Sequence, residues 1–139
     1  MVSALSPAES ARVMLSGDAA SAALGMELVD VALGRAQVTM TIRADMVNGH
    51  DIAHGGLVAS LADTAFAVAC NTYGEVTVAA GFTVDFVEPA HLGDVLVADA
   101  VEVVRRGRSG VYDVTVTRGD VVVATFRGRC RSLGRAIGG

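Results

Sequence analysis

The sequence contains no lysine, so all 11 of its basic residues are arginine. Although 52% of the residues are hydrophobic, no uninterrupted apolar run reaches about 18 residues, the length that spans a membrane as a helix. Residues 1–18 lack a basic start followed by a long apolar stretch, which predicts no signal peptide. Cys70 and Cys130 lie in apolar or strand-like contexts without the spacing of metal ligands, which favours buried, reduced thiols. These absences predict a cytoplasmic protein without a metal site.

The arginines are unevenly distributed along the chain. Eight of the 11 lie within residues 105–135, where the only acidic residues are Asp113 and Asp120, and the chain up to Val104 is correspondingly acidic. A basic section in a protein of net charge -4 argues against general nucleic-acid binding and for a local anionic partner, such as the phosphates of a ligand. A solvated strand face explains the same pattern equally well, so both interpretations stay open.

The start of the chain has the pattern of a short helix. Ser6 suits an N-cap, Pro7 suits the first helical position, and Gly17 marks the predicted end. The predicted N-terminal helical segment covers about residues 6–24. It belongs to a single predicted domain, residues 1–139, because the chain has no linker or repeat and is long enough to bury one core.

One long apolar segment interrupts a series of predicted strands. Residues 55–73 are rich in alanine and too long for a strand, which predicts a helix that is buried on all sides. Alternating or β-branched patterns predict strands at residues 26–33, 36–43, 76–87, 94–104, 110–118 and 121–130. The later strands lack helix-sized gaps, which predicts antiparallel neighbours. The predicted fold class is α+β, with a curled antiparallel sheet wrapped around a long central helix.

The stretch "NGHDIAHGGLVASLADTAFAVAC", residues 48–70, carries the candidate catalytic residues. Asp63 is the one carboxylate in the predicted helix, and burial of an unpaired charge is costly, which indicates a function. Gly55 and Gly56 begin the helix, where unpaired N–H groups and the helix dipole can stabilise a carbonyl oxygen that gains negative charge. Two glycines also suit close packing of a helix on a sheet, so that alternative stays open.

The spacing between Gly55 and Asp63 predicts a dimer. Eight residues correspond to about 12 Å along a helix, which is too far for both groups to act on one carbonyl group. Two such helices packed antiparallel about a two-fold axis bring Gly55 of one chain beside Asp63 of the other. The predicted active sites therefore lie at the interface of a homodimer.

Other polar residues of the stretch are weaker candidates. Asn48, in the loop before the helix, can hold a water molecule or a substrate carbonyl with its amide. His54 directly precedes the helix and is predicted to cap it or to orient the loop. The three histidines lack metal-ligand spacing. Ser60 lacks the context of a nucleophilic serine, and Cys70 lies too deep in the helix to be an activated nucleophile.

The same stretch resembles the hotdog-fold thioesterases of the phenylacetic acid degradation pathway. The resemblance continues through "TVDFVEPAHLGDVLVADA", "GVYDVTV" and "FRGRCRSLG", so it covers about residues 20–135, and its most specific part is the Asn-x6-Gly-x7-Asp spacing. It implies the hotdog fold, a homotetramer of paired dimers, and hydrolysis of aryl-acetyl thioesters of coenzyme A. Coenzyme A is then part of the substrate, and no separate cofactor is expected.

The resemblance also implies roles for individual residues. Asp63 matches the catalytic carboxylate, which activates water or attacks directly. Gly55 matches the residue whose N–H polarises the thioester carbonyl, with His54 and Gly56 beside it. Asn48 matches the loop residue that positions the water or the thioester.

Two parts of the family pattern are less well matched. Some relatives have a hydroxyl residue one turn after the carboxylate, but this chain has Ala67 there, and Thr64 or a residue near Thr77 is a candidate replacement. Contacts to coenzyme A vary in the family. The candidates for them are Arg105, Arg106, Arg108 and the arginines near the C-terminus.

Two other functions are compatible with the fold that the resemblance implies. A hydratase or dehydratase needs a catalytic histidine with a carboxylate; His54 adjoins the helix, but the sequence shows no separate histidine-bearing loop of the dehydratase type. A non-catalytic acyl-CoA binding module is the other alternative, and Asp63 counts against it. The leading prediction is hydrolysis of phenylacetyl-CoA or hydroxylated phenylacetyl-CoA by an enzyme that binds neither nucleic acid nor membranes.

Overall fold

The computed structural model describes residues 5–139. The first four residues, which belong to the predicted domain and to the segment that predicts no signal peptide, lie outside the described residues. Ten elements follow one another within the described residues: α1 (Pro7–Ser16), α2 (Ala19–Ala23), β1 (Glu27–Ala32), β2 (Arg35–Thr41), a 3-10 turn (Ala44–Met46), α3 (Gly55–Cys70), β3 (Glu75–Phe86), β4 (Val95–Arg106), β5 (Ser109–Arg118) and β6 (Val121–Ala136). Within residues 5–139 no helix is both long enough and apolar enough to cross a membrane.

The six strands form one antiparallel sheet in the order β1-β2-β4-β5-β6-β3. The outer strands of a flat six-stranded sheet would lie about 24 Å apart, more than twice the width of a helix. Helix α3 nevertheless contacts all six strands, so the sheet curls around it. The predicted architecture is confirmed. Because α3 connects β2 to β3, it carries the chain across to the opposite edge of the sheet.

The core lies between α3 and the inner face of the sheet. Alternate residues of the middle strands point inward and are fully buried, among them Val38, Met40, Leu96, Ala98, Tyr112, Val114 and Val116. The ring of Phe66 on α3 lies 5.9 Å from that of Tyr112 and 5.7 Å from that of Phe126. Gly128 leaves room for the ring, because a Cβ atom there would lie 2.7 Å from it. Burial of each large side chain stabilises the fold by about 1.5–3 kcal/mol.

The ends of the first helix match the prediction. The Ser6 hydroxyl accepts from the Glu9 N–H, and the Glu9 carboxylate accepts from the Ser6 N–H, so the two residues form a capping box. Pro7 occupies the first helical position and Gly17 is the C-cap. The predicted hairpin between β1 and β2 is also present, and Gly34 takes the positive φ of +73° that its turn requires.

The central helix ends three residues earlier than predicted, at Cys70. The Asn71 side chain donates to the carbonyls of Ala67 and Thr77 and accepts from the Thr77 N–H, which turns the chain from α3 into β3. Strand β6 is longer than predicted and continues to Ala136, paired with β3.

One face of α3 is not covered by the sheet. Gly56 is exposed, and Ala59, Ser60, Asp63 and Ala67 are half-buried. These five residues follow each other at helical spacing, and we call them the α3 stripe. The prediction that the helix is buried on all sides is wrong for this face, because within one chain the sheet covers only the opposite side.

Candidate active site

Helix α3 begins at the predicted pair of glycines. The N-cap is His54, whose N–H donates to the Met46 carbonyl at 2.9 Å and whose carbonyl accepts from the N–H of Val58 at 3.2 Å. The imidazole makes no capping hydrogen bond, so His54 holds the loop through its backbone. Among residues 5–139 the N–H groups of Gly55 and Gly56 have no acceptor. They form a pair of free donors at the positive end of the helix dipole.

The two glycines differ in their surroundings. A Cβ atom on Gly55 would lie 2.9 Å from the ring of Phe86, so no larger residue fits there without movement of the ring. A Cβ atom on Gly56 would meet nothing within 4 Å. The packing explanation therefore applies to Gly55, and it does not apply to Gly56. Close approach of Phe86 also brings an apolar wall beside the free N–H groups.

Asn48 is held in a fixed orientation by its own loop. Its side-chain oxygen accepts from the N–H of His50 at 2.8 Å and from the N–H of Ile52 at 3.2 Å. The turn also requires Asp51 to adopt a φ of 59°, a strained value for a residue other than glycine. Because the oxygen is used within the loop, the NH2 group of Asn48 is the part that remains available as a donor to a ligand.

A cavity of about 390 Å³ lies between this loop, the start of α3 and the end of β3. Asn48 and Gly55 line it, and we call it the Asn48–Gly55 pocket. Its other walls are mostly apolar: Ile52, Ala53, Val58, Phe86, Val87, Glu88, Pro89, Ala90 and Val123. Its volume lies in the range of small-molecule sites. Neither Asp63 nor His54 lines this pocket, so one chain places the predicted donors and the predicted carboxylate apart.

Asp63 lies two turns further along α3, on the α3 stripe. Its carboxylate is half-buried, and within the described part of the chain it has no ion pair or side-chain hydrogen bond. Burial raises the pKa of Asp63 above its ordinary value, and the negative charge of Asp18 raises it further. A carboxylate with a raised pKa and no partner within its own chain is a stronger proton acceptor than an ordinary surface carboxylate.

The family model of the thioesterase superfamily matches residues 50–125, which include the N–H donors, Asp63 and most of the pocket. The chain belongs to the thioesterase superfamily. The acyl-coenzyme A thioesterase PaaI of Escherichia coli strain K12 is 44% identical over 133 residues, which cover 94% of each chain.

Solved structures agree with this assignment. The E. coli PaaI protein from the phenylacetic acid degradation operon superposes with a TM-score of 0.92 at 41% identity, over 94% of this chain and 95% of that chain. A mutant of the phenylacetic acid degradation protein PaaI from Thermus thermophilus gives a TM-score of 0.81 at 39% identity, over 84% and 100% of the two chains. The predicted hotdog fold and enzyme class, a thioester hydrolase, are confirmed.

Thr64, a predicted contact of the thioesterase site, faces another part of the fold. Its hydroxyl lies 2.9 Å from the hydroxyl of Ser21, which in turn donates to the Asp18 carboxylate at 2.6 Å. This chain of hydrogen bonds fixes α2 on the central helix. Thr64 is buried there and does not line the Asn48–Gly55 pocket.

The three arginines predicted to contact coenzyme A lie in different surroundings. Arg105 stacks on the ring of Tyr73 at 3.8 Å from its centroid. Arg108 lies over Gly134, where a Cβ atom would come within 2.8 Å of its guanidinium. Arg106 lines a groove together with Arg129 and Arg131. The structure therefore does not bring the three predicted residues together.

Sequence reasoning missed two residues of the pocket. Glu88 is an exposed residue that lines the pocket, and Phe86 packs against the start of α3. Phe86 ends β3 and Glu88 follows it before Pro89, within the stretch "TVDFVEPAHLGDVLVADA" that resembles the family but from which no site residue was predicted. No local pattern could have revealed them, because they approach Gly55 only through the long-range position of β3.

Proposed function

We propose that this protein hydrolyses aryl-acetyl thioesters of coenzyme A, specifically phenylacetyl-CoA or hydroxylated phenylacetyl-CoA, in the cytoplasm. The observation that carries the proposal is the Asn48–Gly55 pocket, which joins free N–H donors to apolar walls but lacks Asp63. The similarity to the acyl-coenzyme A thioesterase PaaI supports the choice of thioester. The catalytic site is completed by Asp63 of a second copy of this chain.

In this mechanism the acyl group occupies the apolar part of the pocket. The Gly55 N–H donates to the thioester carbonyl oxygen, and the Asn48 NH2 group positions the thioester or the attacking water. Asp63 of the partner subunit takes a proton from that water as its oxygen attacks the carbonyl carbon. The oxygen of the tetrahedral intermediate carries the negative charge toward the helix end. Collapse of the tetrahedral intermediate breaks the C–S bond. The proton that Asp63 took from the water is transferred to the leaving thiolate of coenzyme A.

Two neighbouring surfaces of one chain fit the proposed dimer. The α3 stripe consists of small residues around Asp63, so another helix can approach it closely. On the same side of the sheet, Phe82 and Phe86 of β3 are 45% and 53% exposed. Exposed aromatic side chains of this kind are typical of interfaces between protein chains. An antiparallel copy covers both surfaces and brings its Asp63 to Gly55. Pairing of two dimers gives the expected homotetramer.

The direct test replaces Asp63 by Asn. We expect kcat for phenylacetyl-CoA to fall at least about 100-fold, because the proton acceptor is lost, while the melting temperature does not fall. Release of free thiol is the readout, since a hydratase releases none. The matched control is Glu88→Gln, which neutralises the carboxylate that lines the pocket of the same chain. Loss of activity in Glu88→Gln with full activity in Asp63→Asn would place the site within one chain and reject the proposal.

Mixed dimers test whether each site needs two chains. One subunit carries Asp63→Asn and the other carries Gly55→Pro, which removes the N–H donor. If the sites are shared, the mixed dimer has one intact site and recovers about half of the parental activity per dimer. If each site belongs to one chain, verified mixed dimers stay inactive.

A further inference from the structure

Two thiols in the core have no part in the proposed hydrolysis. Cys70 is the last residue of α3, and Cys130 points inward from β6. Both are free thiols, and the two residues are only 4% and 6% exposed. Neither of them lines the Asn48–Gly55 pocket or belongs to the α3 stripe. A role for this pair is therefore separate from the proposed function.

The packing of α3 on β6 places the two thiols side by side. The ring of Phe66 lies over Gly128, where a Cβ atom would come within 2.7 Å of it. The helix and the strand run in the same direction, because residues near the start of each line the same cavity. Cys70 follows Phe66 by one helical turn, about 6 Å, and Cys130 follows Gly128 by two strand residues, about 7 Å. These nearly equal steps bring Cys70 opposite Cys130.

The atoms around the two sulfurs hold them in place. The Cys70 sulfur lies 3.4 Å from the Ala67 carbonyl, to which it donates, and 3.7 Å from the NH2 group of Asn71, from which it accepts. Cys130 is paired with Gly110 on β5, where a Cβ atom would lie 3.0 Å from the Cys130 sulfur. A glycine at this position therefore lets the Cys130 sulfur lie directly against the backbone of β5.

The two thiols differ in how readily they lose a proton. The pKa of Cys130 is lowered, chiefly because the Cys70 thiol lies beside it. The Gly110 backbone and the positive charge of Arg105 act in the same direction, against burial and the negative charge of Glu102. Thiolates, and not thiols, attack oxidants, and oxidation of a cysteine follows its thiolate character. Cys130 is therefore the member of the pair that reacts first.

We propose that Cys70 and Cys130 form an oxidation-sensitive dithiol, which a hydroperoxide converts into a disulfide between α3 and β6. The slight exposure of both residues favours an oxidant as small as hydrogen peroxide. The bond would be transient in a compartment that keeps thiols reduced, and thiol reductants would reverse it. The proposal does not depend on the proposed function, since it involves neither the substrate nor the pocket.

The reaction has two steps. The Cys130 thiolate attacks one oxygen of hydrogen peroxide, the O–O bond breaks, and the leaving hydroxide takes up the proton that the thiol had lost, which leaves a sulfenic acid. The Cys70 sulfur then attacks the sulfur of that acid, the S–O bond breaks, and the leaving hydroxide takes the Cys70 proton. In total the two thiols lose two electrons and two protons, and the peroxide becomes two molecules of water.

Cys70 becomes a nucleophile only after the first step. In the reduced protein the Cys130 thiol and burial raise the pKa of Cys70 far above its ordinary value. A sulfenic acid on Cys130 is uncharged, so the negative charge that opposes ionisation of Cys70 is removed. The order of the two steps is thereby set by the pair itself.

Mass spectrometry of the folded protein after treatment with hydrogen peroxide tests the proposal. Trypsin, which cleaves after arginine, should release residues 44–105 joined to residues 130–131, and dithiothreitol should separate the two peptides. Parent protein that keeps both thiols free, or that forms the bond only between two chains, overturns the proposal.

Two variants test the order of the steps. Cys70→Ser should stop at a sulfenic acid on Cys130, which dimedone traps. In Cys130→Ser, oxidation of Cys70 should be at least about tenfold slower than loss of the thiols in the parent, because the remaining thiol is protonated. Equal rates in Cys130→Ser and the parent would reject Cys130 as the reacting thiol.

Thermal unfolding of the parent protein needs no variant. A cross-link between positions about 60 residues apart restricts the unfolded chain, so the oxidised protein should melt at a higher temperature than the reduced protein. Addition of dithiothreitol should return the melting temperature to that of the untreated protein. A lower melting temperature after formation of the disulfide would show that α3 and β6 cannot hold the bond, and would overturn the assignment.

Discussion

The two ends of α3 differ in how their polar groups are bonded. At the N-terminal end, the N–H groups of Gly55 and Gly56 and the NH2 group of Asn48 have no acceptor within residues 5–139. At the C-terminal end, the Asn71 side chain makes three hydrogen bonds to backbone groups, and the Thr72 hydroxyl donates to the Ala69 carbonyl and accepts from a backbone N–H.

Side chains around the C-terminal end are also paired. Glu102 accepts from the hydroxyls of Tyr73 at 2.8 Å and Tyr112 at 2.9 Å. The neighbouring Cys130 thiol, together with burial, raises the pKa of Cys70 far above its ordinary value, so Cys70 stays a protonated thiol. This agrees with the prediction that Cys70 is not a nucleophile.

The C-terminal end of α3 therefore has a structural role, and the N-terminal end is the one that we assign to function. Proteins leave few buried polar groups unpaired, because each costs about 1–3 kcal/mol. Pairing is nearly complete where α3 only has to be joined to β3. Donors remain free where the helix borders the Asn48–Gly55 pocket, and a substrate can supply their acceptor. Substitutions at the N-terminal end of α3 should therefore lower activity, whereas substitutions at the C-terminal end should lower stability.

The largest effect is expected at the N-terminal end, from Gly55→Pro. Proline removes the N–H that we assign to the thioester oxygen, and loss of one such donor costs about 100-fold to 1,000-fold in kcat. Gly55→Ala is the control, because its Cβ meets Phe86 in the same way but the N–H is kept. Steady-state kinetics on folded protein compare the two. Equal losses in both variants would mean that crowding of Phe86, and not the donor, limits activity.

A smaller effect, on stability alone, is expected at the C-terminal end from Asn71→Ala. It removes three hydrogen bonds to the backbone, and we expect the free energy of unfolding to fall by about 3 kcal/mol. Urea denaturation measures the loss, and kcat per folded molecule should be unchanged. Ser16→Ala provides a reference, since its hydroxyl makes one exposed bond within α1. A large fall in kcat would show that the two ends are not independent.

The smallest effect is expected from the charge of Asp63. Burial, aided by Asp18, raises the pKa of Asp63 above 3.8, so the folded state holds its proton more tightly than the unfolded state. Its contribution to stability is present below the unfolded pKa and is lost as pH rises through the raised folded pKa. Asp63→Asn should therefore be more stable at neutral pH, by less than about 1 kcal/mol because the group is half-exposed.

Unfolding curves of the parent and of Asp63→Asn at neutral and acidic pH measure this difference. The gain should disappear below pH 3.8, where the carboxyl group is protonated in both states. A gain that is independent of pH would contradict the assignment to the charge. The helix end at Gly55 of the partner subunit opposes the shift. The gain should accordingly increase in dilute samples in which the dimer dissociates.

Local patterns predicted most of the fold. Alternating residues identified β2 and β5, and the alanine-rich run identified α3, because these signals depend only on near neighbours. Patterns could not give the end of α3, since Asn71 sets it through bonds to Thr77. Nor could they place β3 beside β6, because that pairing joins segments far apart in sequence.

The candidate site shows the same limit. The spacing of Asn48, Gly55 and Asp63 predicted that Gly55 and Asp63 do not meet in one chain, and their separation in the structure agrees. The place of Glu88 in the pocket and the grouping of Arg106 with Arg129 and Arg131 depend on strand order, which the sequence pattern does not contain. Thr64 has the hydroxyl that the family pattern requires, but the pattern does not reveal that this hydroxyl lies beside Ser21.

The position of β3 at the edge of the sheet has a consequence for the order of folding. β3 is made directly after α3, yet among residues 5–139 it pairs only with β6, the last of the six strands described there. Phe82 and Phe86 therefore wait without a paired neighbour while β4 and β5 emerge from the ribosome. Contacts of such long sequence separation slow folding and leave apolar edges open to aggregation. The nascent chain can close the pocket beside Gly55 only after Val123 has been added.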